Sequence, residues 1–481
     1  MNKPFIPEDE VGILDSPAEV LSTLTREGER KWVYPTLEKG RFYKPRLWLG
    51  WFLIVLFVAL PMIPINGQPA VLIDFIHREF ALFGLIFYPT DTLLLLLSMF
   101  GTIIGIFLFT ALLGRVWCGW GCPQTVYMEF VFRPIERWLE GKEHVRKRRN
   151  EGPWTWDKFW RKSVKLTLYL LISLALAHVF ISYFVGWKHL LYWMQQPPAE
   201  HWGFFVTMAL TTGLILFDFG YFREQMCTIT CPYARFQSVL IDPNSLIISY
   251  DENRGEPRAK RSKKKIRDEE AGLLPAQGDC IDCFACVRTC PTGIDIRDGL
   301  QMECIGCTQC IDACDSIMDK IGKPKGLIRY TSENELAGLG THWLRPRTVL
   351  YTVLGLAVAV IFTGVLLTRS SYDVNVGRVV GAPFTELPDG SIANRLRFRV
   401  RNQQSYATTF TIEAASPTDA EVRIVGVSPT PLEPQEMKRV EAWILVPRTR
   451  FTDDSIEGVF RLRFEDGAVE DVTFTLLGPS D

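Results

Sequence analysis

Long apolar runs dominate the pattern of hydrophobic and polar positions along this chain. Five of them reach the length of about 20 residues that a membrane-spanning helix requires. The first, second and fifth contain neither charged residues nor histidine, which is typical of helices that face lipid. A sixth apolar stretch, residues 80–89, is too short to span and is predicted to be interfacial or re-entrant. The five predicted spans are residues 47–65, 92–113, 166–186, 203–222 and 348–368.

Lysine and arginine positions orient these predicted spans. Residues 1–46 hold eight basic residues, 67–91 hold one, 114–163 hold eleven, 187–202 hold one and 223–347 hold eighteen. Because basic residues concentrate in cytoplasmic loops, this alternation places the N-terminus and the two longest loops in the cytoplasm. An odd number of spans then puts the C-terminal tail outside. The polar start lacks an A-x-A cleavage pattern, so we expect the first span to be an anchor and not a removable signal peptide.

The tail, residues 369–481, changes from helical to strand-like patterning. Segments such as Leu396-Arg-Phe-Arg-Val400 and Val459-Phe-Arg-Leu-Arg-Phe464 alternate apolar and polar positions, which is the period of a half-buried strand. Proline and glycine turn positions separate several such runs, and this arrangement predicts a β-sandwich. The tail contains neither cysteine nor histidine, so we expect a docking or stabilising role there and not catalysis.

Composition narrows the class of protein. The formal net charge of -1 excludes a generally basic nucleic-acid binder, and 47% hydrophobic residues suit a chain that is partly embedded in a membrane. All 12 cysteines lie between Cys118 and Cys314, in four tight groups. A disulfide framework would spread cysteines through an exported region, whereas this grouping indicates metal ligation in a reducing compartment.

Two cysteine runs share one internal spacing, offset by 24 residues. In two-cluster ferredoxins, three thiolates of a run hold one [4Fe–4S] cluster and the fourth serves the other cluster. A pair of zinc knuckles is the alternative, but zinc sites rarely repeat three thiols at this spacing. The runs are Cys280-x2-Cys283-x2-Cys286-x3-Cys290 and Cys304-x2-Cys307-x2-Cys310-x3-Cys314. The predicted ligand sets are Cys280, Cys283, Cys286 and Cys314 for one cluster, and Cys304, Cys307, Cys310 and Cys290 for the other.

The remaining four cysteines form a second repeat, at the predicted cytoplasmic ends of the second and fourth spans. The first motif is Cys118-Gly-Trp-Gly-Cys122-Pro123, and the second motif is Cys227-Thr-Ile-Thr-Cys231-Pro232. Because proline suits the first position of a helix, Cys122 and Cys231 are predicted N-caps, where the helix dipole would favour a thiolate. Soft thiolates select Cu(I), zinc or iron–sulfur centres, so we predict one shared metal or redox site. The alternative is four inert cysteines packed at helix ends.

Several other features are weaker. His178 lies within the third predicted span and Asp218 near the inner end of the fourth, where polar side chains are often functional, although a buried hydrogen-bonded role is equally compatible. Gly101-x3-Gly105 permits close helix packing. The basic run 258–267 is predicted to be a solvated linker attracted to anionic lipid. The sequence has no dinucleotide, phosphate-loop or c-type haem motif, so electrons must come from a protein donor or a quinol.

These motifs together resemble those of the FixG/RdxA family, also called CcoG, of cytochrome c oxidase accessory proteins. The likeness covers almost the whole chain. It implies a multi-domain membrane protein: an α-helical five-span bundle with an inserted two-cluster ferredoxin-like α+β domain and a C-terminal all-β immunoglobulin-like sandwich. The residues that carry it are Trp117-Cys-Gly-Trp-Gly-Cys-Pro-Gln-Thr-Val-Tyr127, Phe132-Arg-Pro-Ile-Glu-Arg137, Cys227-Thr-Ile-Thr-Cys-Pro-Tyr-Ala-Arg-Phe-Gln237 and the two ferredoxin-like runs.

The resemblance also implies a function in the bacterial cytoplasmic membrane. It implies a cupric reductase that uses two [4Fe–4S] clusters to supply Cu(I) for assembly of cbb3-type cytochrome c oxidase. Its partners would be oxidase assembly factors or a copper chaperone or transporter. The alternatives are an electron conduit from a quinol or protein donor to an external partner, and a non-catalytic assembly scaffold; a monomer and a homodimer both stay open. The implied catalytic thiols and copper ligands are Cys118, Cys122, Cys227 and Cys231.

The predicted domain order follows from these assignments. Each boundary lies where composition or patterning changes along the chain. The predicted domains are residues 1–46 (cytoplasmic segment), 47–247 (four spans with both C-x3-C-P motifs), 248–267 (basic linker), 268–330 (two-cluster domain), 331–368 (connector and fifth span) and 369–481 (external β-sandwich).

Overall fold

The chain divides into two compact units. In the computed structural model, the described residues are 22–24, 29–75, 79–88, 91–260, 277–404 and 406–479. The larger unit comprises Met1–Pro64 and Pro69–Ile361, and the smaller comprises Ile65–Gln68 and Phe362–Asp481. All 12 cysteines lie in the larger unit, and the predicted β-domain lies within the smaller one.

Four helices in the described residues are long and apolar enough to cross a membrane, and each matches a predicted span. Most residues in their apolar windows are not buried within the protein, as expected of helices surrounded by lipid. The third begins earlier than predicted, because Thr155 caps it by accepting a hydrogen bond from the Lys158 amide at 3.2 Å. The four helices are Thr92–Leu113, Trp156–Val185, Trp202–Phe222 and Pro346–Leu367.

The first predicted span is a shorter helix. It runs over Tyr43–Ala59, which is 17 residues, so the count of five spans stays a prediction. Two short strands follow, Pro64–Ile65 and Gln68–Pro69. The stretch predicted to be interfacial, residues 80–89, is extended and not helical in its described part; its last residue lies outside the described residues. It contributes to an antiparallel sheet of Val71–Asp74, Glu79–Leu82 and Leu85–Phe87.

The two C-x3-C-P motifs begin with the same backbone geometry. Gly114 ends the second span at φ 55° and ψ -125°, and Arg223 ends the fourth at φ 54° and ψ -119°. Each of these residues lies four positions before the first cysteine of its motif. The nearby helices are Val116–Trp120, Pro123–Tyr127, Arg133–Glu140, Glu143–Glu151, Trp187–Met194 and Pro232–Leu240, with π-helical turns Met128–Phe132, Asp218–Phe222 and Met226–Thr230.

The two ferredoxin-like runs also repeat in their backbone. Positive φ angles at Asp282 and Phe284 recur 24 residues later at Gly306 and Thr308. Phe284 and Thr308 therefore start their helices in the same left-handed conformation. Strands Ile247–Tyr250 and Ile328–Thr331 pair antiparallel beside the runs. The helices of this region are Glu252–Gly255, Ala285–Thr289, Gln309–Ile321 and Glu333–Leu336, with a 3-10 turn Ile296–Asp298.

The region around the two ferredoxin-like runs, which we name the cluster region, begins earlier than predicted. The sequence analysis places a basic linker at residues 248–267, but Ile248 and Tyr250 belong to the buried core that contains Cys280 and Cys286. The apolar strand precedes the charged run directly, and only pairing with a strand about 80 residues away reveals that it belongs to the domain. Most of the basic run lies outside the described residues.

The C-terminal unit has the predicted β-architecture of two antiparallel sheets. The predicted alternation is confirmed, because Leu396, Phe398 and Val400 are all 0% exposed. Phe398 of one sheet meets Phe460 of the other edge to face, with centroids 5.6 Å apart. One sheet has the order Glu421–Val425, Met437–Pro447, Ser391–Asn402 and Tyr372–Arg378, with Thr385–Glu386 paired to Ser391–Asn402. The other has the order Thr430–Leu432, Thr408–Ser416, Ser455–Phe464 and Val469–Leu477.

Candidate metal centres

Eight cysteines, those of the two ferredoxin-like runs, line two cavities. The first cavity, which we name the distal site, has about 350 Å³ of empty space and is lined by Cys280, Cys283, Cys286 and Cys314. The second, the proximal site, has about 320 Å³ and is lined by Cys290, Cys304, Cys307 and Cys310. The distal cavity draws one thiol, Cys314, from the second run, whereas the proximal cavity draws Cys290 from the first run and is also lined by Cys286, which therefore lines both cavities.

The chemistry of both cavities fits [4Fe–4S] clusters. Burial raises the pKa of Cys286 to about 12 and that of Cys304 to about 11. Thiols in such surroundings keep their protons unless a metal replaces them. Ile294, Ile296 and Ile305 complete the proximal wall and keep water away from it. Four thiols in a dry apolar pocket are what a cubane requires.

Arg297 places a fixed positive charge at the distal site. Its guanidinium lines the cavity, pairs with Asp282 at 2.7 Å and with Asp295 at 2.5 Å, and lies 4.2 Å from the Phe284 ring centroid. Hydrogen bonding to Asp295 raises the pKa of Arg297, so the charge persists at any physiological pH. Phe284 is 40% exposed, which makes this edge of the distal site reachable from solvent.

The other four cysteines come together as one four-thiol site: Cys118, Cys122, Cys227 and Cys231. Every pair among them lies close enough to interact electrostatically. Hydrogen bonds between the two motifs hold the four thiols in this arrangement. Gln124 donates to the Arg223 carbonyl at 3.0 Å and to Asp218 at 3.1 Å. Arg115, which precedes the first motif, donates to the carbonyl of Ala234, which follows the second motif, at 2.9 Å.

The protonation of Cys122 differs from the sequence-based expectation. Cys122 and Cys231 do cap their helices with proline at the next position. Burial nevertheless raises the pKa of Cys122, and the backbone amides of Thr125 and Gln124, which lower that pKa, do not offset the effect. Burial also raises the pKa of Cys118 to about 12. At Cys118 and Cys122 desolvation outweighs the opposing interactions because both thiols are enclosed, so these two thiols ionise only when a metal binds.

Ligand spacing separates single-ion sites from clusters. Within the part of the chain that the structure describes, no three His, Cys, Asp or Glu side chains are grouped so that they could hold one metal ion. This applies to all three cysteine sites alike. A cubane spreads its thiolates over four iron corners, so its ligands stand further apart than those around a single ion. Copper ligation by the four thiols therefore stays a prediction.

The first motif packs directly against the proximal site. A Cβ added to Gly119 would lie 2.4 Å from the Gly306 carbonyl oxygen and 2.7 Å from the Cys307 amide nitrogen. Arg46, buried at the start of the first helix, donates to the Gly119 carbonyl at 3.1 Å. Arg115 donates to the Cys304 carbonyl at 3.0 Å. Only glycine permits this backbone contact between the two sites.

The second motif approaches the proximal site from another side. Cys227 lines a cavity of about 290 Å³ together with Pro291, Thr292 and Ile305. The same three residues line the proximal cavity. Three side chains therefore form the partition between the Cys227 cavity and the proximal site.

Sequence reasoning missed a buried ion-pair network beside these sites. Glu136 receives two hydrogen bonds from Arg223, at 2.8 and 3.1 Å, and one from Arg146 at 2.6 Å. Arg133 pairs with Glu129, whose other oxygen accepts from Gln309 of the cluster region at 3.1 Å. Charged residues at a predicted membrane boundary suggest solvent-facing positions, so nothing in the sequence indicated that these are buried.

The N-terminal segment was also missed as part of the site. The Thr36 amide donates to the Arg288 carbonyl at 2.9 Å, and Thr289 returns a hydrogen bond to the Thr36 carbonyl at 2.9 Å. The Phe42 amide donates to Asp312 at 3.1 Å. The predicted cytoplasmic segment therefore forms hydrogen bonds to the cluster region immediately before the first helix, Tyr43–Ala59, begins.

The two isolated polar residues in the spans have partners. His178 contacts the Leu174 carbonyl of its own helix at 2.7 Å through Nδ1, so the helix backbone satisfies it. Asp218 lies beside Cys122 and Cys227 and accepts from Gln124. Of the two, only Asp218 belongs to the four-thiol site.

Three stretches of the chain match known protein families. Residues 222–333 match a 4Fe-4S dicluster domain, and residues 94–146 match a 4Fe-4S binding domain. Residues 362–479 match an IG-like fold at the C-terminus of FixG. The matches support a membrane-associated iron–sulfur redox protein with an immunoglobulin-like C-terminal domain.

Relatives resemble the chain over most of their length. Protein RdxB of Cereibacter sphaeroides is 38% identical over 83% of this chain and 85% of its own, and protein RdxA of the same organism is 38% identical over 77% and 79%. Nitrogen fixation protein FixG of Rhizobium meliloti is 31% identical over 95% of this chain and 94% of its own.

The solved structure of a FixG-related protein from Vibrio parahaemolyticus aligns with 23% of this chain and 97% of its own, at 13% identity and a TM-score of 0.20. A likeness at that score carries no weight for function. The three relatives do support a family assignment, because both their sequence identity and the covered share of each chain are high. With its cysteine motifs and its C-terminal domain matched, the chain belongs to the FixG/RdxA family.

Proposed function

We propose that this chain is a membrane-anchored iron–sulfur reductase that passes single electrons from the distal site through the proximal site to the four-thiol site. The observation that carries the proposal is the continuity of the three sites. Cys286 lines both the distal and the proximal cavity, and Gly119 of the first motif contacts Gly306 and Cys307 of the proximal site. Bound [4Fe–4S] clusters supply one-electron redox chemistry.

The protein's own residues hold this path together and keep it dry. Each predicted cluster would take four thiol ligands, three from one run and one from the other. Isoleucines exclude water from the proximal site, while Arg297 and Arg46 place positive charge beside the distal and proximal sites. Positive charge and low solvent exposure both influence the reduction potential of an iron–sulfur centre.

Cu(II) is the proposed electron acceptor, by analogy with what the family resemblance implies. One electron converts Cu(II) to Cu(I), and soft sulfur ligands prefer the product ion. The electron comes from a reduced electron-transfer protein or from a quinol, which would release one proton with each electron. The acceptor collects the electron at the four-thiol site, where the path ends.

The location and partners are part of the same proposal. Charge asymmetry supports a bacterial inner-membrane protein with the cysteine sites on the cytoplasmic side and the β-domain in the periplasm. Cu(I) would then pass to oxidase assembly factors or to a copper chaperone or transporter. This delivery serves assembly of a cbb3-type oxidase.

A stopped-flow experiment on the full chain tests the reductase proposal. The protein is purified anaerobically with its clusters, reduced, freed of reductant and mixed with Cu(II) and a Cu(I)-specific chelator. We expect cluster reoxidation and Cu(I) formation in step, one for one. The Cys122→Ser, Cys231→Ser double variant should keep the distal and proximal clusters and lose copper reduction, whereas Thr230→Ser, which leaves every thiol in place, should behave as wild type.

Two outcomes would contradict the proposal and favour one of its alternatives. If reduced wild type forms Cu(I) no faster than protein without clusters, copper is not the acceptor and an electron conduit to another partner is favoured. If the double variant reduces copper at the normal rate, the C-x3-C-P motifs are structural and copper meets the ferredoxin-like clusters directly.

A further inference from the structure

The four-thiol site, like each of the two cluster sites, takes its thiols from two segments of the chain. Two chain segments supply two thiols each, and both segments leave their spans through a residue with the same unusual backbone angles, Gly114 and Arg223. An L-residue such as Arg223 rarely adopts a positive φ, so the geometry is held by its surroundings. The bidentate pair with Glu136 provides that support.

The thiols are held together by hydrogen bonds that cross between the motifs. Gln124, two residues after Cys122, reaches Asp218 and the Arg223 carbonyl. Gln237, in the helix that Cys231 caps, accepts from the Cys118 thiol at 3.5 Å. Side chains of each motif therefore stabilise the other, as expected of two halves of one ligand set.

The four thiols share two properties with the thiols of the cluster sites. They interact pairwise, yet among the described residues no three potential ligands are placed to hold one metal ion. The distal and proximal sites, which match a 4Fe-4S dicluster domain, share both properties. All four cysteines are free thiols, so no disulfide competes for them.

The family match to residues 94–146 points to the same occupant. It is described as a 4Fe-4S binding domain, but it contains only Cys118 and Cys122. A cubane needs four protein ligands. Cys227 and Cys231 supply the missing two, from a segment outside that match.

We propose that Cys118, Cys122, Cys227 and Cys231 together bind a third [4Fe–4S] cluster, at the membrane boundary and next to the proximal site. The inference goes beyond the reductase proposal and does not depend on copper. If both hold, copper is reduced by this third cluster and is not a ligand-bound ion of the four thiols. Gly119 directly contacts Gly306 and Cys307 of the proximal site. The third cluster would therefore follow the distal and proximal clusters in one continuous line.

Iron and sulfide analysis of the full chain tests this inference. After anaerobic reconstitution with iron and sulfide, we expect about 12 iron atoms and about 12 sulfides per chain, against about 8 of each for two cubanes. The Cys122→Ser, Cys231→Ser variant should fall to about 8 of each. Thr230→Ser, an exposed change beside Cys231 that keeps all thiols, should retain the wild-type count.

Mössbauer and electron paramagnetic resonance spectra of the wild type provide a readout that needs no variant. Three cubanes should give an extra spin coupled to that of the proximal cluster. A wild-type count of about 8 iron atoms, with one copper or zinc bound or with four alkylatable thiols, would overturn the inference. Copper reduction is measured separately, so failure of either proposal can be told from failure of the other.

Discussion

At the scale of single residues, two positions decide how closely the three sites approach. Gly119 lets the first motif touch the proximal loop backbone to backbone. Cys286 belongs to the walls of two cavities at once, so the distal and proximal sites share a side chain. Neither contact can be relieved by a change of side-chain rotamer, because the first is between backbone atoms and the second involves a thiol that a cluster would hold in place.

Gly119→Ala should therefore separate the four-thiol and proximal sites. The new methyl group would meet backbone atoms at 2.4 and 2.7 Å, and relief requires one loop to move. We expect a loss of about 1 to 3 kcal/mol in stability and slower electron transfer to copper in the stopped-flow experiment. Gly105→Ala is the matched control, because a Cβ there meets no other atom within 4 Å. Equal rates for both variants would show that the contact is unimportant.

Cys286→Ser should remove about four iron atoms per chain, since it takes one ligand from the distal cluster. The proximal cluster should keep its iron but change its spectrum, because the same thiol lines that cavity and the same helix leads to Cys290. Metal analysis and electron paramagnetic resonance measure both effects. Thr289→Ser keeps its hydroxyl in the same helix and should change neither. Protein that purifies with zinc and without iron would contradict the cluster assignment.

At the scale of elements, ion pairs connect the helices after the first motif to the end of the fourth span. Glu136 is enclosed by Arg146 and Arg223. Burial alone would raise the pKa of Glu136, but Arg223, Lys165 and Arg146 hold that pKa at about 2, below its usual 4.5. The carboxylate is thus ionised in the folded protein, and its pairing also supports the strained Arg223 backbone.

Glu136→Gln should destabilise the membrane unit by about 3 to 5 kcal/mol, because Arg223 and Arg146 lose their buried counter-charge. A carboxyl whose pKa is lowered by folding stabilises above its unfolded pKa and loses that contribution as the pH falls toward its folded pKa. The stability difference between wild type and variant should therefore be full above pH 4.5 and shrink as the pH falls toward about 2.

Thermal unfolding of both proteins in detergent, over that pH range, measures the difference directly. Glu151→Gln is the control, since its pair with Lys147 is exposed at both ends and exposed pairs contribute little. A stability difference that does not depend on pH would mean that Glu136 acts through packing and not through its charge.

At the scale of the whole molecule, the chain combines one unit that holds every cysteine with one β-unit that holds none. The predicted topology at this scale rests on the distribution of basic residues. A reporter fused after Asp481 should be active outside the cytoplasm, and one inserted near Ala259 should be active inside. A tail reporter that is active inside would mean that Tyr43–Ala59, the shortest candidate span, does not cross the membrane.

Much of the architecture could be predicted because its causes are local. Span lengths, strand alternation and cysteine spacing repeat over a few residues, so Thr92–Leu113 and the Leu396–Val400 alternation could be recognised from the chain alone. The grouping of Cys314 with the first run followed from the known cross-over of two-cluster ferredoxins. The early start of the cluster region could not be predicted, because its first strand pairs with one far along the chain.

The sequence by itself determined which thiols are available and which segments carry them, since spacing and helix-capping proline act within one turn of backbone. Only the tertiary structure decided that Gly119 meets Gly306, that the Thr36 region fastens the cluster domain, and that Glu136 is buried with two arginines. Each of these joins residues far apart in the chain. Their energies depend on burial and close approach, which no local pattern encodes.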